Sequence, residues 1–195
     1  MRQAPQKEQL EFLASLEVEQ AESVMKIAWQ QLSASAQQVL TDDPSLDVIE
    51  EEYQDLFIGI GRGEVMPFGS WHITGAMMEK PLAVLRHDLK LLGFEREEQV
   101  KEPEDHIAAL CEVMAALTHE DEALQQVMFN KHIVNWYHSL VTQIESAQHA
   151  QFYLALANLM NAFFQVEQVR FSDANAHLKN GLKIEVKNIV DTIEG

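Results

Sequence analysis

Residues 53–71 read YQDLFIGIGRGEVMPFGSW, in which Gly59, Gly61 and Gly63 alternate before Pro67 and are flanked by aromatic side chains. Two folds compete for this stretch. A phosphate-cradling loop would place the chain among α/β nucleotide enzymes, whereas a shaped apolar floor would suit a helical protein. A dinucleotide fingerprint needs G-x-G-x-x-G between a strand and a helix, so that backbone N–H groups at the helix start meet the pyrophosphate. The spacing here is G-x-G-x-G. The residues before it, Leu46, Ile49, Tyr53, Leu56 and Phe57, recur at steps of three and four, the period of a helix rather than a strand. A Walker-type loop needs Lys and Ser or Thr after its last glycine; Glu64 and Val65 stand there, and an acid would oppose phosphate. The stretch is therefore read as the end of a helix and an apolar loop.

Helical spacing continues on both sides. Val24, Met25, Ala28, Trp29 and Leu32 line one face before the break at Asp43-Pro44. Pro81 suits a first helical turn, Leu82, Leu85, Leu89 and Leu92 form a stripe, and Gly93 is placed as a C-terminal cap. Pro103 is expected to open the next helix, with Glu104 and Asp105 in its first turn and Ile107, Leu110, Cys111, Met114 and Leu117 on its apolar side. Ile133, Trp136, Tyr137, Leu140 and Ile144 follow, then Phe152, Leu156, Leu159, Met160, Phe163 and Phe164. Residues 171–195 fit either a strand or a last helix; with no other strand to join, they are read as helical. The fold class is all-α: one helical domain over residues 1–195, with a helical part to about residue 58, a glycine loop at 59–75, and a second helical part from 76. The loop is also the natural junction if the chain forms two subdomains.

The charge balance narrows the partners. The 195 residues carry 14 Lys and Arg against 31 Asp and Glu, a formal net of −17. Such a surface repels nucleic acid and anionic membranes and attracts cations or basic peptides. The single cysteine, Cys111, permits no internal disulfide, which fits a reducing compartment. The N-terminal residues lack the apolar run of a signal peptide, and no window is apolar enough to span a bilayer. A cytosolic protein without stable membrane insertion is expected.

Two segments offer chemistry. In the loop, Phe68 and Trp71 are either core rings or the wall of a groove, and Leu56 and Phe57 on the helix face admit the same two readings; glycine lets backbones approach and proline stiffens the wall. In EPEDHIAALCEVM (residues 102–114), Glu102, Asp105 and His106 form an acidic, hydrogen-bonding cluster, or simply ordinary helix-start residues. Paired Glu-x-x-His motifs and H-E-x-x-H are missing, and a lone cysteine cannot build a thiolate zinc site, so no metal site is expected. Cys111 reads as a small buried hydrophobe.

Three segments together resemble the TorD/DmsD family of cytosolic redox-enzyme maturation chaperones. They are YxxLFxGxGxGxxxPFxSW from Tyr53, EPEDHI about thirty residues on, and HIVNWYHSLVTQIESAQHAQFYLALANLM from His132. The resemblance implies an all-helical, non-enzymatic protein that binds the twin-arginine signal peptide of a molybdopterin-dependent oxidoreductase precursor. Such a protein supports cofactor insertion and prevents premature export. The peptide-binding residues it implies are Tyr53, Leu56, Phe57, Pro67, Phe68, Ser70 and Trp71, with Glu102, Pro103, Asp105 and His106 at the polar end. On this reading the apolar part of the leader lies against Phe57, Pro67 and Phe68 while its basic head meets Glu102 and Asp105. GTP binding and domain-swapped dimers occur in some relatives; no motif here supports either, so no cofactor is expected and monomer and swapped dimer both stay open. Tyr53 and Phe68 stand where relatives often carry Trp, and Asn135 where proline is frequent, which leaves the client oxidoreductase open. Two other roles compete: an assembly subunit that binds only the folded oxidoreductase, and a small enzyme acting on a cation through Asp105 and His106. The second is weakened because adjacent residues on a helix do not face one another.

Overall fold

The structure, a computed structural model, describes residues 2–17, 23–59, 61–97 and 99–181. Helices run through it in the order α1 (Lys7–Ala14), α2 (Ser23–Asp42), α3 (Asp47–Tyr53), α4 (Gly69–Thr74), α5 (Lys80–Leu91), α6 (Ile107–Leu117), α7 (Glu122–His132), α8 (Tyr137–Glu145) and α9 (Phe152–Gly181). Among the described residues there is no strand, only an isolated antiparallel bridge between Phe68 and His106. The all-α expectation holds. Of the C-terminal segment read as helical, α9 takes the part to Gly181, and residues 182–195 lie outside the described residues.

α9 is the spine, with α2, α7 and α8 packed along it and α1 against α2. Its inner face is aromatic. Phe164 lies 5.8 Å from Phe129 and 5.1 Å from Tyr137, and Phe171 lies 5.5 Å from Phe129. Phe129, Tyr137, Phe164 and Phe171 are all fully buried. Each such side chain contributes about 1.5–3 kcal/mol relative to exposure, so this cluster holds the bundle far more than any surface pair.

The helix-end predictions divide. α5 carries Pro81 in its first turn and buries Leu82, Leu85 and Leu89. Gly93 (φ +79°) donates to Lys90 and Phe94 to Leu89, the paired bonds of a Schellman stop. The expected start of α6 is corrected. The helix begins at Ile107 with His106 as its N-cap, so Glu104 and Asp105 lie ahead of it and not in its first turn. Cys111 is also corrected: it is exposed, because that edge of α6 borders an open groove between α2 and α9. The apolar residues from Ile133 to Ile144 do not share one helix, because Ile133 and Trp136 fall between α7 and α8.

α3 does not stop at Tyr53 but widens into a π turn over Gln54–Ile58, closed by a 2.7 Å bond from the Gly59 amide to Gln54. The chain then folds back onto this turn. Glu64 and Val65 donate to the carbonyls of Asp55 and Leu56 at 3.3 and 2.8 Å. That approach explains Gly63, where a Cβ would sit 2.5 Å from the Leu56 oxygen.

The start of α9 is capped from the far side of the chain. Glu52, buried, accepts from the amides of Gln151, Phe152 and Tyr153 at 2.8, 3.1 and 2.9 Å. These are the orphan donors of a helix N-terminus, where the dipole also favours a carboxylate. Glu52→Ala is expected to lower the unfolding free energy by about 2–3 kcal/mol, with Glu52→Gln losing less. Urea denaturation tests this; an unchanged midpoint in the Ala variant would mean that α9 starts without help from Glu52.

Candidate functional site

The loop after the glycines is pinned to the approach to α6. The Gly69 amide donates to the Asp105 carbonyl at 2.9 Å, and the Ile107 amide to the Pro67 carbonyl at 2.9 Å. The Ser70 amide donates to Asp105 Oδ2 at 2.7 Å. The His106 and Phe68 rings meet perpendicular to one another, 5.1 Å between centroids, while His106 Nδ1 accepts from the Ala108 amide at 3.1 Å. Pro67, Ser70, Asp105 and His106 are buried and Phe68 is half-buried. The two sequence segments singled out above therefore meet in space, through backbone as much as through side chains.

Behind this clip lies a cleft of about 370 Å³ among α4, α5 and the α7–α8 corner. Its walls are apolar, with Ile73, Pro81, Val84, Leu85 and Trp136, and its polar lining includes Ser70 and Asp105. Asp105 Oδ1 and Ser70 Oγ are both buried and have no hydrogen-bond partner within the protein. Two exposed lysines, Lys80 and Lys131, also border the cleft, and Lys131 is neutralised by Asp88 at 2.6 Å. His132 Nε2 donates to the same Asp88 oxygen at 2.7 Å, and the Trp136 indole donates to the His132 carbonyl at 2.6 Å.

The remaining predicted residues fall elsewhere. Tyr53, Leu56 and Phe57 face inward: the Tyr53 hydroxyl donates to the Arg2 carbonyl at 2.8 Å, and Phe57 meets Tyr153 edge-on at 4.9 Å. Trp71 is half-buried under the Arg62 guanidinium, 4.5 Å from its ring. Glu102 lines a different cleft, of about 310 Å³, with Arg2, Phe94 and Arg96. Pro103 is buried in the turn before α6, its carbonyl accepting from the His106 amide at 3.2 Å. Trp136, His132 and Asp88 were not among the predicted site residues. The His132-x-x-x-Trp136 spacing was the available signal, but it spans a helix break that periodicity did not reveal. Among the described residues, no group of three or more His, Cys, Asp or Glu side chains is arranged to hold a metal. No helix among them is long and apolar enough to cross a membrane.

A family model described as nitrate reductase delta subunit matches residues 18–142, more than half of the chain and all of the clip and cleft. The chain belongs to the TorD/DmsD family. A probable Tat proofreading chaperone DmsD of Haemophilus influenzae is 30% identical over 123 residues, 62% of this chain and 61% of that protein. A chaperone protein TorD of Shewanella pealeana is 27% identical over 130 residues, covering 62% and 59%. A second TorD, of Actinobacillus succinogenes, is 23% identical over 166 residues and covers 81% and 86%. The match thus spans about three fifths of the first two relatives' own length.

Two histidines held neutral by burial support the cleft of this TorD/DmsD member, His132 from its lining and His72 from behind Trp136. His72 Nε2–H donates to the Met66 carbonyl at 2.7 Å, so its Nδ1 accepts from the Ser139 hydroxyl at 2.9 Å, and the ring stacks 5.4 Å from Trp136. Burial pushes the His72 imidazole below its ordinary pKa, against the Met66 bond. Burial does the same to His132, against the pull of Asp88. For Asp88 itself burial acts upward, but the Lys131 and His132 bonds outweigh it and hold the carboxyl low. In the unfolded chain both imidazoles titrate near pH 6.5. On acidification the unfolded state therefore binds protons first, and the stability held above that pH is lost as it falls toward the lower folded values. His149, exposed and bonded to Glu64, is shifted upward and acts in the opposite sense. The urea midpoint is expected to be lower at about pH 5.5 than at about pH 7.5, above the carboxylate range. The difference should shrink in His72→Gln/His132→Gln. A wild-type midpoint that rises on acidification would contradict the assignment of these two rings as neutral.

Proposed function

We propose that the chain is a cytosolic maturation chaperone. It captures the twin-arginine signal peptide of a molybdopterin-dependent oxidoreductase precursor, holds the precursor through cofactor insertion, prevents premature export and catalyses no reaction itself. One observation carries this reading: Asp105 Oδ1 and Ser70 Oγ, buried and unpartnered, line the same largely apolar cleft. A carboxylate oxygen left without a donor in such surroundings is costly, and a cationic donor relieves that cost. A guanidinium presents a planar fork of N–H groups that lysine's ammonium cannot match. The names of the relatives, a Tat proofreading chaperone among them, point the same way.

The net charge of −17 steers a basic leader in and makes association weaken as salt rises. Ordering a disordered peptide consumes part of the contact energy, so affinity of about 1 μM is expected, tight enough to hold a client and weak enough to release it.

Asp105→Asn keeps an oxygen for the Ser70 amide and removes the charge. It is expected to weaken binding of a synthetic twin-arginine leader by about 1–3 kcal/mol with little change in unfolding midpoint. Replacing both leader arginines by lysine should cost a similar amount, and the two losses should not add, because they remove one interaction. Calorimetry decides: undiminished affinity in Asp105→Asn removes this cleft from arginine binding, and no heat with any leader removes the reading altogether.

A further inference from the structure

We propose that the outward face of α5 docks an acidic surface of a partner protein, one that carries exposed leucines, in a role separate from leader capture. One side of α5 is packed, with Leu82, Leu85 and Leu89 buried. At about 100° per residue, Lys80, Ala83, His87, Lys90 and Leu91 fall on the opposite side, and all five are exposed. This stripe runs about 17 Å along the helix, at 1.5 Å per residue.

Charge sets the sign of the partner. The chain holds 14 Lys and Arg in 195 residues, yet Lys80, Arg86 and Lys90 stand within the 12 residues of α5. Arg86 and Arg96 share a single carboxylate, Glu104, at 2.8 and 3.6 Å, which leaves one positive charge over. Asp88, the one acid of α5, is taken by Lys131. Lys80 and Lys90 form no ion pair among the described residues. The acids nearest in sequence, Glu79, Glu95 and Glu97, lie beyond the two ends of the helix. A net charge of −17 repels an acidic partner from most directions, so this stripe selects one orientation of approach.

Apolar side chains decide between a protein and a polyphosphate. Leu91 and Met78, at and just beyond the two ends of the stripe, are 74% and 69% exposed, more than any other large hydrophobic among the described residues. Ile73 lines the Asp105 cleft together with Lys80 and carries apolar surface from the stripe to the cleft mouth. Met78 sits at φ +58°, a left-handed conformation that a side chain with a Cβ adopts only at a cost. A nucleic-acid backbone would leave these side chains in water, whereas leucines set between carboxylates would cover them.

Fluorescence anisotropy on the full chain tests this with three labelled probes of about twelve units, the length of the stripe as a helix. They are a helical peptide with leucines along one side between glutamates, its serine-for-leucine version, and a single-stranded oligonucleotide. Wild type is expected to bind the Leu/Glu peptide at about 0.1 mM or tighter, and the other two about tenfold more weakly. Lys90→Glu should weaken the Leu/Glu peptide about fivefold, whereas Lys26→Glu, the same charge change on α2, should not. Met78→Gly relieves the left-handed backbone, so it should keep or raise the unfolding midpoint while weakening this peptide about threefold. Twin-arginine leader affinity should be unchanged in Lys90→Glu, because Lys90 lies outside the Asp105 cleft. Equal losses in Lys26→Glu and Lys90→Glu would reduce the effect to net charge and overturn the proposal. It is overturned equally if wild type does not bind the Leu/Glu peptide or if neither α5-side variant weakens it. An oligonucleotide that binds as tightly would give the face to phosphate. A wild-type dimer that Lys90→Glu dissolves in sedimentation would give it to a second copy, and either result sinks the acidic-protein partner.

Discussion

The side chain on which the functional face depends is Asp105. Its main-chain carbonyl and one carboxylate oxygen receive the amides of Gly69 and Ser70, and two residues on the Ile107 amide returns the bond to Pro67. A loop rich in glycine loses much entropy when it is ordered, and among the described residues the nearest thing to a sheet holding it is the isolated bridge between Phe68 and His106. One short, charge-assisted bond to a buried carboxylate reinforces the two main-chain bonds that provide that order. Only one of the two oxygens is used in holding the loop. The residue that builds the wall is thus also the residue left with unmet hydrogen-bonding capacity on the other side of it.

Asp105 is one of several acids turned inward in a chain with 31 of them. Glu52 closes the start of α9, Glu167 is buried beside Arg170, and Glu104 joins Arg86 and Arg96 from two directions. Most of the other described acids are exposed, where like charges repel one another and lower the advantage of compactness. Acidity therefore has two distinct parts here. A few carboxylates replace missing backbone partners, and the larger number set the sign of the field that an approaching peptide meets.

The helices were legible because their apolar residues recur at the helical period, and the stop of α5 because glycine at a C-terminal cap is so specific. The start of α6 was not. Pro103 satisfies the rule for a first helical turn, yet the contacts that Asp105 makes with the loop outweigh the local preference and delay the helix by one turn. Cys111 failed for a related reason: periodicity identifies an apolar face but not whether another element covers it. Of the candidate site, the two segments could be read from sequence because each concentrates unusual residues. That Pro67 meets Ile107 and Ser70 meets Asp105, whereas Tyr53 and Phe57 turn toward Tyr153, depends on contacts across 35 to 100 positions that no local pattern encodes. Asp88, His132 and Trp136 escaped for the same reason.

The widened turn at Gln54–Ile58 has a consequence for how this loop tolerates change. A π turn is a helical turn carrying one residue more than the α geometry needs. Here the surplus leaves the Asp55 and Leu56 carbonyls turned outward, and the returning chain uses them as a template. Deleting a single residue between 54 and 58 would restore regular winding and return those carbonyls to the helix's own amides, taking them from Glu64 and Val65. Ring substitutions on this helix are local adjustments by comparison, whereas its length is held to a single value by the chain that folds back on it.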